Sequence, residues 1–322
     1  MQSRRLLQCG AVALGLLAGA AAQAQSWPVK PVRVIIPFAP GGGTDIQGRL
    51  LGKKFYESMG QTFVVENRTG AAGLIGAEVA ARSPADGYTI LFTTASLAVN
   101  VSLYKKIAFD PLKDLQPVSW ISSVPLVLVV HPSVPVKSPK ELVALAKREK
   151  GKMNAAHNGS GTTSHLSVEM LKQFAGVDVT PIPYKGGGPA IAAMVSGETD
   201  FSFATALAAQ PHIKAGKIKA LAVTTAKPSG AFPGLPTMHS LYPGFESDNW
   251  YAMFYPTGTP KDIVAKLNSE IVKALKANDI RDFIVQEGGD PVGSSPGELD
   301  AYFKREVTKY GKIIKAGNIS AD

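Results

Sequence analysis

Val32-Arg33-Val34-Ile35-Ile36-Pro37-Phe38-Ala39-Pro40-Gly41-Gly42-Gly43-Thr44-Asp45 is the stretch that decides the fold. Val32 to Pro37 is a short β-branched run and predicts a strand. The glycines turn the chain, and Thr44 to Met59 reads as a helix. The next segments repeat the pattern: Thr62 to Glu66 a strand, Leu74 to Ala81 a helix, Tyr88 to Thr93 a strand. This βαβαβ order argues for a mostly parallel sheet flanked by helices.

A second α/β unit follows. Helices are expected at Ser138–Glu149, Thr162–Phe174, Pro189–Val195 and Gln210–Ala215. Strands are expected at Lys152–Ala156, Val179–Pro183, Asp200–Ala204 and Ile218–Thr224. Between the two units, Gln116 to Val130 is an extended stretch too long for one strand, as if it left one sheet and entered another. Lys227 to Pro236 is a Pro- and Gly-rich linker, and Trp250 to Tyr255 is one more strand. The remainder is helical, at Pro260–Ala277, Ile280–Gln286 and Pro296–Ile314, and is expected to pack back on the first unit. The chain then crosses between units near Ser123 and near Thr225, with a ligand cleft between them.

Length and composition agree with two globular domains. The chain has 322 residues, 45% hydrophobic and 18% charged. Arg4 and Arg5, the apolar run Ala11 to Ala22 and the small-x-small site Ala22-Gln23-Ala24 form a secretory signal, with mature protein expected from Gln25. The single cysteine, Cys9, falls inside it, so the mature chain has no thiol chemistry. The net charge of +9 drops to about +7 without Arg4 and Arg5. Its densest cluster, Lys137 to Lys152, is one amphipathic helix with a solvated face and lacks interleaved aromatics, which argues against nucleic acid.

Three strand–helix junctions invite an anion. At the first, the glycines let backbone approach a bound group, and the helix start offers free N–H groups. It lacks the Lys-Ser/Thr of a P-loop, and Ile46 stands where a dinucleotide fingerprint needs Gly. Thr44 or Asp45 as a plain helix cap is the alternative. The second, His157-Asn158-Gly159-Ser160-Gly161-Thr162-Thr163-Ser164-His165, offers hydroxyls and N–H groups to a carboxylate. A Ser160 nucleophile, as in an exported hydrolase, is the rival, but Asn158 and Thr162 break the elbow pattern. The third is Tyr184-Lys185-Gly186-Gly187-Gly188-Pro189. Thr93-Thr94-Ala95-Ser96 with Asn100, and Ala204-Thr205-Ala206, sit at carboxyl ends of strands where α/β sheets bind ligands. The five histidines show no metal-ligand spacing, no acidic pair stands out as an acid–base couple, and no cofactor is expected.

Taken together, several of these motifs resemble one family. Pro37 to Asp45, Glu66-Asn67-Arg68-Thr69-Gly70-Ala71-Ala72-Gly73-Leu74-Ile75-Gly76, Asp86-Gly87-Tyr88-Thr89, Gly159 to Leu166, Tyr184-Lys185-Gly186 and Gly197-Glu198-Thr199-Asp200 are similar, in order, to the Bug-type receptors of tripartite tricarboxylate transporters. The resemblance implies a non-catalytic, two-domain Venus-flytrap periplasmic-binding-protein fold: residues 1–24 signal, 25–123 with 226–322 one domain, 124–225 the other. It implies a periplasmic monomer that delivers a small carboxylate to membrane permease subunits; a ligand-presenting receptor for a signalling partner is the alternative. Carried onto this chain, the resemblance puts the carboxylate on Phe38, Gly42, Gly43 and Asp45 of the first loop and Ser160, Thr162 and Thr163 of the second. Asp45 would orient the loop or a water, or select a ligand amine. Gly161 and Gly187 are candidates beside them, and Ser96, Asn100, Thr205 and Ala206 would read the distal end. Family members often carry Gly and Asn where Ala72 and Leu74 stand. That more apolar loop, with Phe38 and Trp250, suggests an aromatic or apolar carboxylate over citrate.

Overall fold

A computed structural model describes residues 27–320; the expected signal peptide, with Arg4, Arg5 and Cys9, lies outside the described residues. The strands form two sheets. The first has the order β11-β4-β10-β3-β1-β2, from β1 (Val32–Ile36), β2 (Phe63–Asn67), β3 (Thr89–Thr94), β4 (Leu115–Val124), β10 (Asn249–Pro256) and β11 (Asp290–Pro291). The second has the order β7-β6-β8-β5-β9, from β5 (Leu126–Val130), β6 (Asn154–His157), β7 (Thr180–Pro183), β8 (Phe201–Thr205) and β9 (Lys219–Val223).

Parallel pairing holds where a helix carries the chain back over the sheet: β1 with β2 and β3, and β6 with β7 and β8. The other neighbours are antiparallel, so both sheets are mixed rather than mostly parallel. The cause lies in the crossings. Pro125 ends β4 and the chain starts β5 in the other sheet; after β9 it returns to the first sheet as β10. These visiting strands run against their hosts.

The crossings lie side by side. Leu126 N–H donates to Thr224 Oγ1 (2.9 Å), Thr224 Oγ1 donates to Ser247 O (3.0 Å) and Ser123 Oγ donates to Asp248 Oδ2 (3.1 Å). Asn249 pairs with Val124 in register.

Helices cover both sheets. In the first unit they are α1 (Gly43–Met59), α2 (Leu74–Ala81), α3 (Ser96–Leu103) and α4 (Pro111–Asp114). In the second they are α5 (Pro139–Glu149), α6 (Thr163–Ala175), α7 (Gly187–Ser196) and α8 (Ala206–Lys214). A short α9 (Met238–Leu241) precedes β10, and α10 (Lys261–Ala274), α11 (Asn278–Gln286) and α12 (Pro296–Ala316) close the chain. α10 packs on α1 and β4, and α12 on α3 and β4, so the C-terminal block does return to the first sheet. Strand alternation divides the core: Val32, Val34 and Ile36 of β1 join one apolar cluster and Ile35 another.

Candidate ligand-binding site

The first loop is built by a carboxyl. Gly41 takes φ +82°, a left-handed backbone that glycine adopts without strain, and its N–H donates to Asp45 Oδ2 (3.0 Å). Arg49 Nε donates to both Asp45 oxygens (3.1 and 3.0 Å), and Asn67 Nδ2 bridges Asp45 Oδ1 (3.0 Å) and Phe38 O (2.9 Å). Burial pushes the Asp45 carboxyl up, but the Arg49, Gly41 and Asn67 hydrogen bonds and the Arg49 charge together hold it below the ordinary range. Asp45 is therefore ionised and fully engaged in shaping the loop. Gly42 is the N-cap of α1 and supplies no side-chain cap. The first intrahelical bond runs from Ile46 N–H to Gly42 O, so the N–H groups of Gly43, Thr44 and Asp45 have no partner within the helix.

The second loop is built by two imidazoles. Gly159 N–H donates to His157 Nδ1 (3.3 Å) and Gly161 N–H to His165 Nδ1 (3.4 Å). The two rings pack on each other with centroids 4.6 Å apart. Burial, with the His165 ring beside His157 and the Lys172 charge acting on His165, lowers both to about 4, so both are neutral at pH 7 and able to accept. Thr162 Oγ1 donates to Gly159 O (2.7 Å) and accepts from His165 N–H (3.3 Å), which makes it the N-cap of α6. The N–H groups of Thr163 and Ser164 have no partner within the helix. Among the described residues, neither imidazole is hydrogen-bonded to Ser160, so the Ser–His couple of a hydrolase is not assembled.

The loops meet through groups that the sequence reading did not single out. A Cβ placed on Gly43 would lie 2.6 Å from the Tyr251 hydroxyl and against Glu287 Oε1, so both reach the start of α1. Next along β10, Asn249 Oδ1 accepts from Thr163 Oγ1 (3.5 Å) at the start of α6. The two helix starts, one from each sheet, thus flank Tyr251 and Asn249 beside the crossing strands. A second contact joins the units further out. A Cβ on Gly161 would strike Asn100 Oδ1 and come within 3.0 Å of Ala72 Cβ, and Asn100 Nδ2 donates to Ala72 O (3.0 Å).

The other expected residues take different places. Ser96, expected at the ligand-facing carboxyl end of β3, is instead the buried first residue of α3. Gly187 starts α7 and lies against Asn158 and Ala208, Thr205 precedes α8, and Ala206 is buried within it; these stay with the second sheet. Trp250 is not in the site. Its Nε1 donates to Glu306 Oε2 (3.2 Å) and its ring meets Phe303 edge-on, because it faces α12 while its neighbour Tyr251 faces α1.

A family model for the tripartite tricarboxylate transporter family receptor, TctC, matches residues 48–319. The chain belongs to this receptor family. It is 37% identical over 295 residues to BugT of Bordetella pertussis, across 91% of this chain and 90% of BugT. Two solved relatives share the fold. R. palustris Rpa4515 with adipate is 34% identical, with TM-score 0.85 over 91% of this chain and 99% of that one. The periplasmic binding protein BugD is also 34% identical, with TM-score 0.83 over 91% and 99%. The receptor family is one of periplasmic solute-binding proteins that serve transporter permeases, not of enzymes. The two-domain periplasmic-binding-protein fold expected from the resemblance is the family's fold. Among the described residues, no helix is long and apolar enough to cross a membrane.

Proposed function

We propose that this receptor captures a small carboxylate where the two sheets meet and presents it to the permease subunits of a tripartite transporter. The observation that carries this reading is the approach of the α1 and α6 starts, one from each sheet, to the same pair of residues on β10. Each helix start contributes N–H groups and a partial positive charge, and together they suit an anion without any cationic side chain. The solute bound by Rpa4515, adipate, is a carboxylate, which fits the same chemistry.

On this reading Phe38, Gly42, Gly43, Ser160, Thr162 and Thr163 surround the carboxylate, Asp45 holds the first loop in shape, and Asn100 and Gly161 form the outer contact. Ser96, Gly187, Thr205 and Ala206 lie behind this line. Phe38 and Tyr251 are the rings near the site, so the case for an aromatic solute loses its Trp250 support. The crossings at 124–126 and 224–249 act as the hinge between residues 25–123 with 226–322 and residues 124–225. Closure adds contacts that the open form lacks, which is how a ligand shifts the balance. The chain works as an exported monomer, cleaved near Ala24.

The test is thermal unfolding of the refolded mature protein with aliphatic and aromatic mono-, di- and tricarboxylates, each beside its amide. A solute at 100 times its Kd adds about 2.7 kcal/mol, a rise on the order of 5 °C. A rise with a carboxylate and none with its amide supports the clamp. Equal rises, or none with any carboxylate, overturn it.

A further inference from the structure

Glu287 is a buried carboxyl that no side chain among the described residues pairs. It follows α11 and is 2% exposed, yet among the described residues its Oε2 has no hydrogen-bond partner and no charged group lies near enough to offset its burial. Its Oε1 packs on Gly43, and the titratable group facing it is the Tyr251 hydroxyl. A buried carboxyl without a partner is costly, and native structures keep such groups paired. The cost falls at the start of α1, where the proposed carboxylate binds.

A plain carboxylate solute keeps Glu287 in its neutral, protonated form, because ionising it there would bury two negative charges side by side. A second unpartnered oxygen lies at the outer contact between the units. Asn100 Oδ1 is buried without a partner, and its orientation is fixed because Nδ2 donates to Ala72 O. Among the described residues, Glu287 Oε2, Asn100 Oδ1 and, at the crossing, Asp248 Oδ1 are buried without partners, and of the two carboxyls only Glu287 has no charged group acting on it. They call for hydrogen-bond donors, and the Glu287 carboxyl calls for positive charge.

We infer that Glu287 is the counter-ion of a positively charged nitrogen on the solute, so that the receptor selects carboxylates that also carry an ammonium or similar protonated nitrogen. This rests on the carboxylate reading above and divides the work: helix N–H groups hold the carboxylate, and Glu287 holds the cation beside it. A hydroxyl leaves Glu287 protonated, whereas a cation lets the buried carboxyl ionise and form a charge pair.

The experiment is calorimetric titration of refolded protein with trios that differ at the carbon next to one carboxylate: alanine, lactate and propionate; aspartate, malate and succinate; 2-aminoadipate, 2-hydroxyadipate and adipate. In at least one trio the amine member should bind tenfold or more tighter than its hydroxyl and unsubstituted partners. Glu287→Gln should abolish that preference while the unsubstituted member binds at least as well as before. Glu287→Leu, with folding checked by thermal unfolding, should do the same without any polar replacement. Carboxylates that bind regardless of the amine, or an amine preference that survives both substitutions, overturn this inference and leave the carboxylate clamp standing. Failure of every trio, with the protein folded, overturns both.

Discussion

Asp45 and Glu287 end at the same glycine turn and live in opposite electrostatic worlds. Asp45 accepts from Gly41 N–H, Arg49 and Asn67, and is held ionised. Among the described residues Glu287 has no charged neighbour, and burial pushes its carboxyl up to about 8. The first carboxyl builds the loop from inside the protein. The second waits for a partner that the protein does not supply. Similar burial thus marks a structural role in one case and a ligand-reading role in the other, and the hydrogen-bond inventory separates them.

Substitution should give opposite signs. Asp45→Ala leaves Arg49, Asn67 and the Gly41 N–H without their acceptor. It should cost about 1–3 kcal/mol of stability and weaken every carboxylate ligand together, read by denaturant unfolding and titration. Glu287→Gln should instead stabilise the empty protein at pH 8. Its sign follows from proton counting: the unfolded carboxyl titrates near 4.5 and the folded one near 8, so the folded state holds an extra proton between them. Stability is full below pH 4.5 and is lost as pH rises through 8, with a slope approaching about 1.4 kcal/mol per pH unit. The variant should make that decline shallower. A variant no more stable than wild type at pH 8 would break the comparison.

The second loop gives a matching contrast on the acid side. His157 and His165 are lowered to about 4 from 6.5, so the stability they support is present above pH 6.5 and is lost as pH falls through 4. His165→Asn should shift the acid limb of a Tm–pH curve while leaving the limb above pH 7 in place. The smallest effect is expected at the outer contact. Ala72 sits at φ +49°, a left-handed backbone that costs a residue with a side chain about 1 kcal/mol. Ala72→Gly should recover up to about 1 kcal/mol, less the added freedom of the unfolded chain.

Much of this was legible in the sequence because glycine turns punctuate strand–helix periodicity. The loops at Gly41–Gly43 and Gly159–Gly161 stand where that punctuation put them, and Gln116–Val130 does divide between two sheets. What stayed hidden has physical causes. Both faces of β10 are buried, so its residues are apolar on both sides, and parity alone could not say whether Trp250 or Tyr251 faces the site. α3 was missed because Val99, Asn100 and Val101 are weak helix formers held by packing on α12. Glu287, in Gln286-Glu287-Gly288-Gly289, reads as an ordinary polar helix end; only its burial in three dimensions makes it unusual.

The most direct test of the central claim is a crystal structure of the refolded protein with the tightest-binding solute from the carboxylate trios. Carboxylate oxygens are expected within hydrogen-bond distance of both the α1 and α6 starts, with a cationic nitrogen against Glu287. A solute seated elsewhere, such as the open groove of about 530 Å³ lined by Phe174, Lys304, Arg305, Lys309 and Lys312, would contradict that claim.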